Sequence, residues 1–156
     1  MTALSPLFDD SIPLREFSLS NINDIPQYGS IIYTVFLDRK EFIYVGIGGL
    51  SGKKDPRSRI RQHTQGRRSG DQFCIYVADF LVLPELSIEE IAAIHKREIR
   101  MDLLVKQYVH WNLSYRFCLT EDGAQALALE KLIVMGAMGN KPFLNPPKST
   151  KQPLIK

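Results

Sequence analysis

Residues 30–37 (SIIYTVFL) and 42–46 (FIYVG) are two β-branched, aromatic runs separated by the polar stretch Asp38-Arg39-Lys40-Glu41. No other feature constrains the chain as tightly, because such a pattern is that of two strands joined by a short turn. With the turn at 38–41, Leu37 faces Phe42, Val35 faces Tyr44 and Tyr33 faces Gly46. Directly opposed residues share a sheet face, and so do residues two apart. Tyr33 and Tyr44 then project from one face as diagonal neighbours, with open space beside Tyr33 where Gly46 lacks a side chain. A slip of one residue would send the two phenols to opposite faces. Strand tyrosines are common in ordinary cores and surfaces, so the hairpin alone assigns them no role.

The remaining punctuation predicts a mixed α/β (α+β) domain: a small, central, mostly antiparallel sheet flanked by helices. Residues 1–29 form an irregular arm marked by Pro6, Pro13, Pro26 and Gly29. Gly46 to Gly52 is a glycine-rich loop. Asp55-Pro56 opens a helix and Gly66 stops it. Residues 73–83 (FCIYVADFLVL) suggest a further strand. Ser87 and Glu90 form a capping box ahead of helical sequence that runs to about residue 112, in one piece or two. Residues 115–120 suggest another strand. Thr120 would cap a last helix, with Glu121 and Asp122 in its first turn, ending near Gly136 or Gly139. At 156 residues the chain fits one domain: an arm at 1–29, a body at 30–147, and a basic tail at 148–156.

The 44% hydrophobic and 24% charged content is ordinary for a globular protein. No apolar run reaches the ~18 residues of a membrane span. The first residues lack the basic, then apolar, then small-residue pattern of a signal peptide. The expectation is a cytoplasmic protein, with Cys74 and Cys118 as reduced thiols in apolar surroundings. Net charge is only +3, but it is unevenly spread. Lys53, Lys54, Arg57, Arg59, Arg61, Arg67 and Arg68 crowd one segment against Asp55 alone. Such a patch suits a polyanion such as nucleic acid, and equally a solvated helix face.

Four residues outside the hairpin carry chemistry. Arg59 and His63 stand four apart and stack on one helical face, where a guanidinium and an imidazole suit a phosphate. Glu130 has Ala126, Leu127, Ile133 and Val134 as its helical neighbours. A carboxylate in such a stripe needs a cation, a proton or donors; Mg²⁺ and a salt bridge to an arginine both fit. Asn145 precedes Pro146 and is biased toward extended backbone, as a site-ordering amide or a simple turn residue.

Three other patterns fail. The run Gly46 to Lys54 misses P-loop spacing by one residue and lacks the hydroxyl residue after its lysine. The GxGxxG pattern breaks at Ser51. Neither CxxC nor HExxH occurs, so zinc has no sequence support. His95 and His110 have no partners at ligand spacing and are expected to be structural.

Taken in order, Ile31-Ile32-Tyr33, Tyr44-Val45-Gly46, Arg59 with His63, Glu130 and Asn145 resemble the GIY-YIG nuclease family, over about residues 24–147. Ile31 departs from the first glycine of that pattern. The Gly46-to-Arg57 connection is longer than in minimal members, as in the restriction-enzyme branch. Residues 70–112, one strand plus helices, look like an addition to the minimal core. The resemblance implies a metal-dependent DNA endonuclease using one Mg²⁺ (or Mn²⁺) held by Glu130. It implies that Tyr33 helps deprotonate a water, which requires its pKa to fall from ~10. His63 relays the proton, Tyr44 orients water or phosphate, Arg59 offsets charge on phosphorus, and Asn145 steadies the carboxylate side. Lys53, Lys54, Arg57, Arg61, Arg67 and Arg68 would meet the DNA backbone, and cutting both strands would suit a homodimer. A non-catalytic nucleic-acid-binding module and a basic protein-interaction domain are the alternatives.

Overall fold

The computed structural model describes residues 5–51 and 55–145. Lys53, Lys54, the Pro146-Pro147 pair and the tail from 148 lie outside them. The sheet has four strands in the order β1-β4-β2-β3: β1 is Arg15–Glu16, β2 Ser30–Leu37, β3 Glu41–Gly48 and β4 Leu113–Thr120. Its pairings are all antiparallel. The helices are α1 (Ser5–Phe8), α2 (Arg57–Gln65), α3 (Gln72–Val77), α4 (Ile88–His95), α5 (Met101–Asn112) and α6 (Gly123–Val134). The expected mixed α/β (α+β) class with a small antiparallel sheet is observed.

The central strand β2 is buried along nearly its whole length, because both sheet faces are covered. Ile31, Tyr33 and Val35 face a core that includes Ile60 of α2, Phe73 and Val77 of α3, and Val105 and Val109 of α5. Ile32 and Val45 face a smaller core with Leu7 of α1 and Ile133 of α6. Two covered faces explain why SIIYTVFL lacks the apolar–polar alternation of a half-exposed strand. The N-terminal arm belongs to the same packing. Phe17, Ile22 and Ile25 sit in the larger core, and the Phe17 ring packs on Tyr115 and Phe73 at centroid distances of 4.9 and 6.1 Å.

The hairpin register is the expected one where it matters. Tyr33 pairs with Gly46 and Val35 with Tyr44. Nearer the turn it differs: Leu37 pairs with Glu41 and Phe36 with Phe42, and the register shifts between Val35 and Phe36. A shorter turn, with Asp38 and Arg39 at φ 48° and 60°, is offset by a bulge, so the tyrosines keep their common face.

Residues 73–83 are not a strand. They are α3 continued by a π-helical turn, Ala78–Val82, and a 3₁₀ turn, Leu83–Glu85. Their aromatic and β-branched composition suits a strand, but their buried residues are Phe73, Cys74, Val77, Ala78, Leu81 and Val82. That spacing is helical. Asp71 caps the start, its Oδ1 accepting from the Phe73 amide at 3.1 Å. The segment 70–112 therefore adds helices and no strand, and the fourth strand comes from the arm. The capping box of Ser87 and Glu90 forms, and α4 and α5 are the two helical pieces. The cap of α6 is Asp122, which accepts from the Gln125 amide at 2.8 Å; Thr120 is still in β4. Helix α6 ends at Val134, short of Gly136, whose φ of +95° turns the chain away.

Because Phe17 is 1% exposed and stacked between two rings, truncating it should destabilise the whole domain rather than loosen a peripheral arm. Phe17→Ala is expected to cost about 3–5 kcal/mol. Chemical denaturation checks this: one cooperative transition moved to much lower denaturant is the expected result, and an unchanged midpoint would show that the arm is not part of the core.

Candidate active site

The two phenols meet as the register requires, with ring centroids 6.3 Å apart. Tyr33 is fully buried, while Tyr44 is partly exposed. Gly46 is where the backbone makes this possible. A Cβ there would overlap the Tyr33 hydroxyl and stand 2.9 Å from Tyr44 Cε1.

Helix α2 supplies the next two residues. It ends at Gly66, left-handed at φ 66°, where any Cβ would strike the Lys106 backbone. Arg59 is exposed and lines a cleft of ≈ 430 Å³ with Ile47, Gly48, Ser51 and Gln62. His63, one turn further along the same helical face, is 1% exposed, between the Tyr33 and Phe73 rings at 5.7 and 4.3 Å. Its two nitrogens are both engaged. Nε2 lies 2.7 Å from the Tyr33 hydroxyl, and Nδ1 lies 2.7 Å from Asp71 Oδ2.

Asp71 is the member of this cluster that the sequence reading does not single out. Its carboxylate also accepts from the Cys74 thiol at 3.3 Å and from the Phe73 amide at 3.1 Å. Burial pushes its pKa up, but the hydrogen bonds from His63 and Cys74 prevail and hold it below the usual carboxylate value. The signal was an Asp immediately before a helical apolar pattern, and reading 73–83 as a strand concealed it. Burial lowers the pKa of His63 despite the opposing pull of Asp71, so the ring is neutral near pH 7.

The ligand atoms of His63, Asp71 and Cys74 lie within 4.8 Å of one another, close enough to hold a metal ion. Two ligand atoms about 2.0–2.1 Å from one tetrahedral ion stand roughly 3.3 Å apart. The 2.7 Å between Nδ1 and Oδ2 is instead a charge-assisted hydrogen-bond distance.

Glu130 stands at the margin of the buried stripe of α6, not in its middle. Ala126 and Ile133 are buried, but Leu127 is 38% exposed and Glu130 itself is half-buried. Among the described residues it makes no hydrogen bond and no ion pair, so the arginine salt bridge expected as the alternative does not form. Burial raises its pKa, against the pull of Arg59 and Lys131. Helices α6 and α2 cover opposite sheet faces, yet Glu130 and Arg59 act on the same phenol. Burial pushes the Tyr44 pKa far up, the Glu130 carboxylate adds to this and Arg59 opposes it. Burial also raises Tyr33, opposite to the fall that a lone tyrosine base would need.

Asn145 has a backbone role. Its Oδ1 accepts from the Val45 amide and its Nδ2 donates to the Val45 carbonyl, each at 2.9 Å. With Leu144 N–H donating to the Ile43 carbonyl at 2.9 Å, it closes the open edge of β3 beside Tyr44. Its side chain hydrogen-bonds to no other candidate side chain among the described residues.

Of the basic residues, Arg57 grips Asp55 with Nη2 at 2.8 Å, Arg61 approaches Asp55 at 4.0 Å, and Arg68 holds Asp102 at 2.8 Å. Arg67 is exposed. His110 is structural, its Nε2 donating to the Thr64 carbonyl at 2.9 Å. No disulfide joins Cys74 and Cys118.

No protein-family model, no curated protein and no solved structure matches this chain.

Asn145→Ala would leave both polar groups of Val45 without their partner and is expected to cost about 1–3 kcal/mol; a thermal melt reads this directly, and a loss within error would contradict the edge-closing role. His63 sets a second expectation. Its folded pKa lies below its unfolded value of about 6.5, so below that pH the unfolded chain binds a proton that the folded chain refuses. Stability should fall as pH drops below about 6.5. Urea titrations between pH 5 and 7.5 should show this slope in the wild type and a weaker one in His63→Gln.

Proposed function

We propose that this protein is a metal-dependent endonuclease of the GIY-YIG kind, hydrolysing phosphodiester bonds in DNA. The observation that carries the reading is that two phenols and an imidazole meet within electrostatic reach of a carboxylate, Glu130, and a guanidinium, Arg59, that have no ion-pair partner among the described residues. These residues come from β2, β3, α2 and α6, and while burial requires Tyr33 and His63 to find partners, nothing in a folding core requires a carboxylate and a guanidinium beside them. No stability argument accounts for a half-buried Glu130 without an ion-pair partner among the described residues.

A hard divalent cation fits that carboxylate, which burial has already made costly to ionise alone. Glu130 would hold Mg²⁺ or Mn²⁺, and the ion when bound supplies positive charge for the scissile phosphate and the leaving oxygen. Arg59, exposed at the cleft, would take a phosphate oxygen and offset charge building on phosphorus. Tyr44, the partly exposed phenol, orients the attacking water.

The proton goes inward. Burial raises both phenol pKa values, so Tyr33 does not act as a stored phenolate. Its hydroxyl can instead pass its own proton to His63 Nε2, 2.7 Å away, as it gains another. Tyr33 and His63 thus work as one base. Asn145 holds the β3 edge that carries Tyr44, and acts on the reaction only through that backbone. Arg67, Arg61, Lys53 and Lys54 remain candidates for the DNA backbone; Arg57 and Arg68 would have to exchange their carboxylate partners first.

Glu130→Ala is expected to lose cleavage by at least about 100-fold while still binding DNA with a steep salt dependence. Supercoiled plasmid with Mg²⁺ or with EDTA reads cleavage, and filter binding across salt reads affinity. Metal-independent nicking, or full activity in Glu130→Ala, would remove the metal-nuclease reading. Salt-dependent binding without any cleavage in the wild type would favour the non-catalytic module.

A further inference from the structure

Asp71 lies outside the set of residues that suggested a nuclease, yet it is joined to His63 of that set by a 2.7 Å hydrogen bond. We propose that Asp71 is the positioning residue that makes His63 a proton acceptor for Tyr33. The proposal deepens the nuclease reading and rests on it for the reaction, but its structural claim can be tested separately.

The reasoning begins with what a neutral imidazole can do. One ring nitrogen carries a proton and donates; the other offers a lone pair and accepts. Which is which depends on the partners. Asp71, 3% exposed and held ionised by its donors, only accepts. Its Oδ2 at 2.7 Å from Nδ1 therefore fixes the proton on Nδ1. The lone pair is left on Nε2, facing the Tyr33 hydroxyl at 2.7 Å. With the opposite tautomer, Nδ1 would meet the carboxylate lone pair to lone pair, and Nε2–H would point at Tyr33 and could take nothing from it.

Asp71 is itself fixed. Its Oδ1 accepts from the Phe73 amide, and Oδ2 also accepts from Cys74, so the cap of α3 aims the carboxylate at α2. When Tyr33 gains a proton by way of Tyr44, the partly exposed phenol beside it that meets the water and passes one proton on as it takes another, its original proton passes to Nε2. His63 becomes an imidazolium with both protons, and Nδ1–H stays on Asp71. The new positive charge then sits against a buried carboxylate, where the attraction is far stronger than in solvent. One O–H bond of water breaks, one N–H bond forms, and the hydroxide goes to phosphorus; no other group changes charge. The proton leaves His63 by the reverse path once the leaving oxygen can take it.

The variant to make is Asp71→Asn. Asn caps a helix as well as Asp does, so the Phe73 bond is retained, while the amide NH₂ can donate to Nδ1 and favours the opposite tautomer. Asp71→Ser also caps but cannot reach His63, which keeps the test intact if Asn disturbs folding. Two readouts are needed. The ¹⁵N shifts of His63 report the tautomer whether or not the protein cuts DNA, and single-turnover cleavage of plasmid with Mg²⁺ reports the chemistry.

The expected results are an Nδ1–H tautomer in the wild type, its loss in Asp71→Asn, and a cleavage rate reduced by at least about 100-fold with DNA affinity unchanged. An Nε2–H tautomer in the wild type overturns the proposal, and so does either variant cutting at the wild-type rate. A wild-type protein with the Nδ1–H tautomer that leaves DNA intact would instead overturn the nuclease reading, and with it the relay's role in cleavage.

Discussion

The covering of β2 on both faces is the constraint from which the rest of this structure follows. A strand with solvent on one side can let a phenol point at water. Tyr33 cannot, because helices close over its face and the hydroxyl is sealed in. A buried hydroxyl needs a partner, and the one provided is an imidazole, itself buried and in need of a partner for its other nitrogen. Asp71 meets that need, and its own charge is met by Phe73 and Cys74. Each step is forced by the one before, and the chain of donors ends at the cap of a helix.

Such a chain stabilises the fold and prepares chemistry by the same means. A fully satisfied polar network in a low-dielectric interior is rigid, since every alternative arrangement leaves a group unpaired. Rigidity sets the tautomer of His63 without a solvent molecule having to choose it. The contrast with Glu130 and Arg59 is instructive. These two have no ion-pair partner among the described residues; Arg59 lines the cleft, and Glu130 stands half-buried on the rim of α6. The cluster thus has an inner half whose polar groups are all satisfied and an outer pair of charges with no ion-pair partner among the described residues.

The edge strand β3 joins the halves. Its glycines let Tyr33 and Pro56 approach the backbone, its bulge corrects a shortened turn, and Asn145 substitutes for a neighbouring strand. A residue of this last kind is easily mistaken for a chemical one: an Asn late in the chain, next to prolines, carries the same letters whether its amide meets a substrate or a backbone.

Much of this was legible in the residue order. The hairpin, its shared tyrosine face, the stop at Gly66 and the Ser87–Glu90 cap all follow from local rules of period, φ and capping, and local rules act between neighbours. Residues 73–83 were misread because β-branched composition and helical period disagreed there, and burial resolved the disagreement in favour of the period. The position of Glu130 on the rim of α6, the burial of His63 and the pairing of Arg57 with Asp55 could not be read from sequence, since each depends on what else arrives at that place. Asp71 is the clearest case. Its letter announces a helix cap, and it does cap a helix. That its second oxygen also sets a proton on His63 was decided only when α3 packed against α2, because a hydrogen bond is fixed by distance and direction in space and not by separation along the chain.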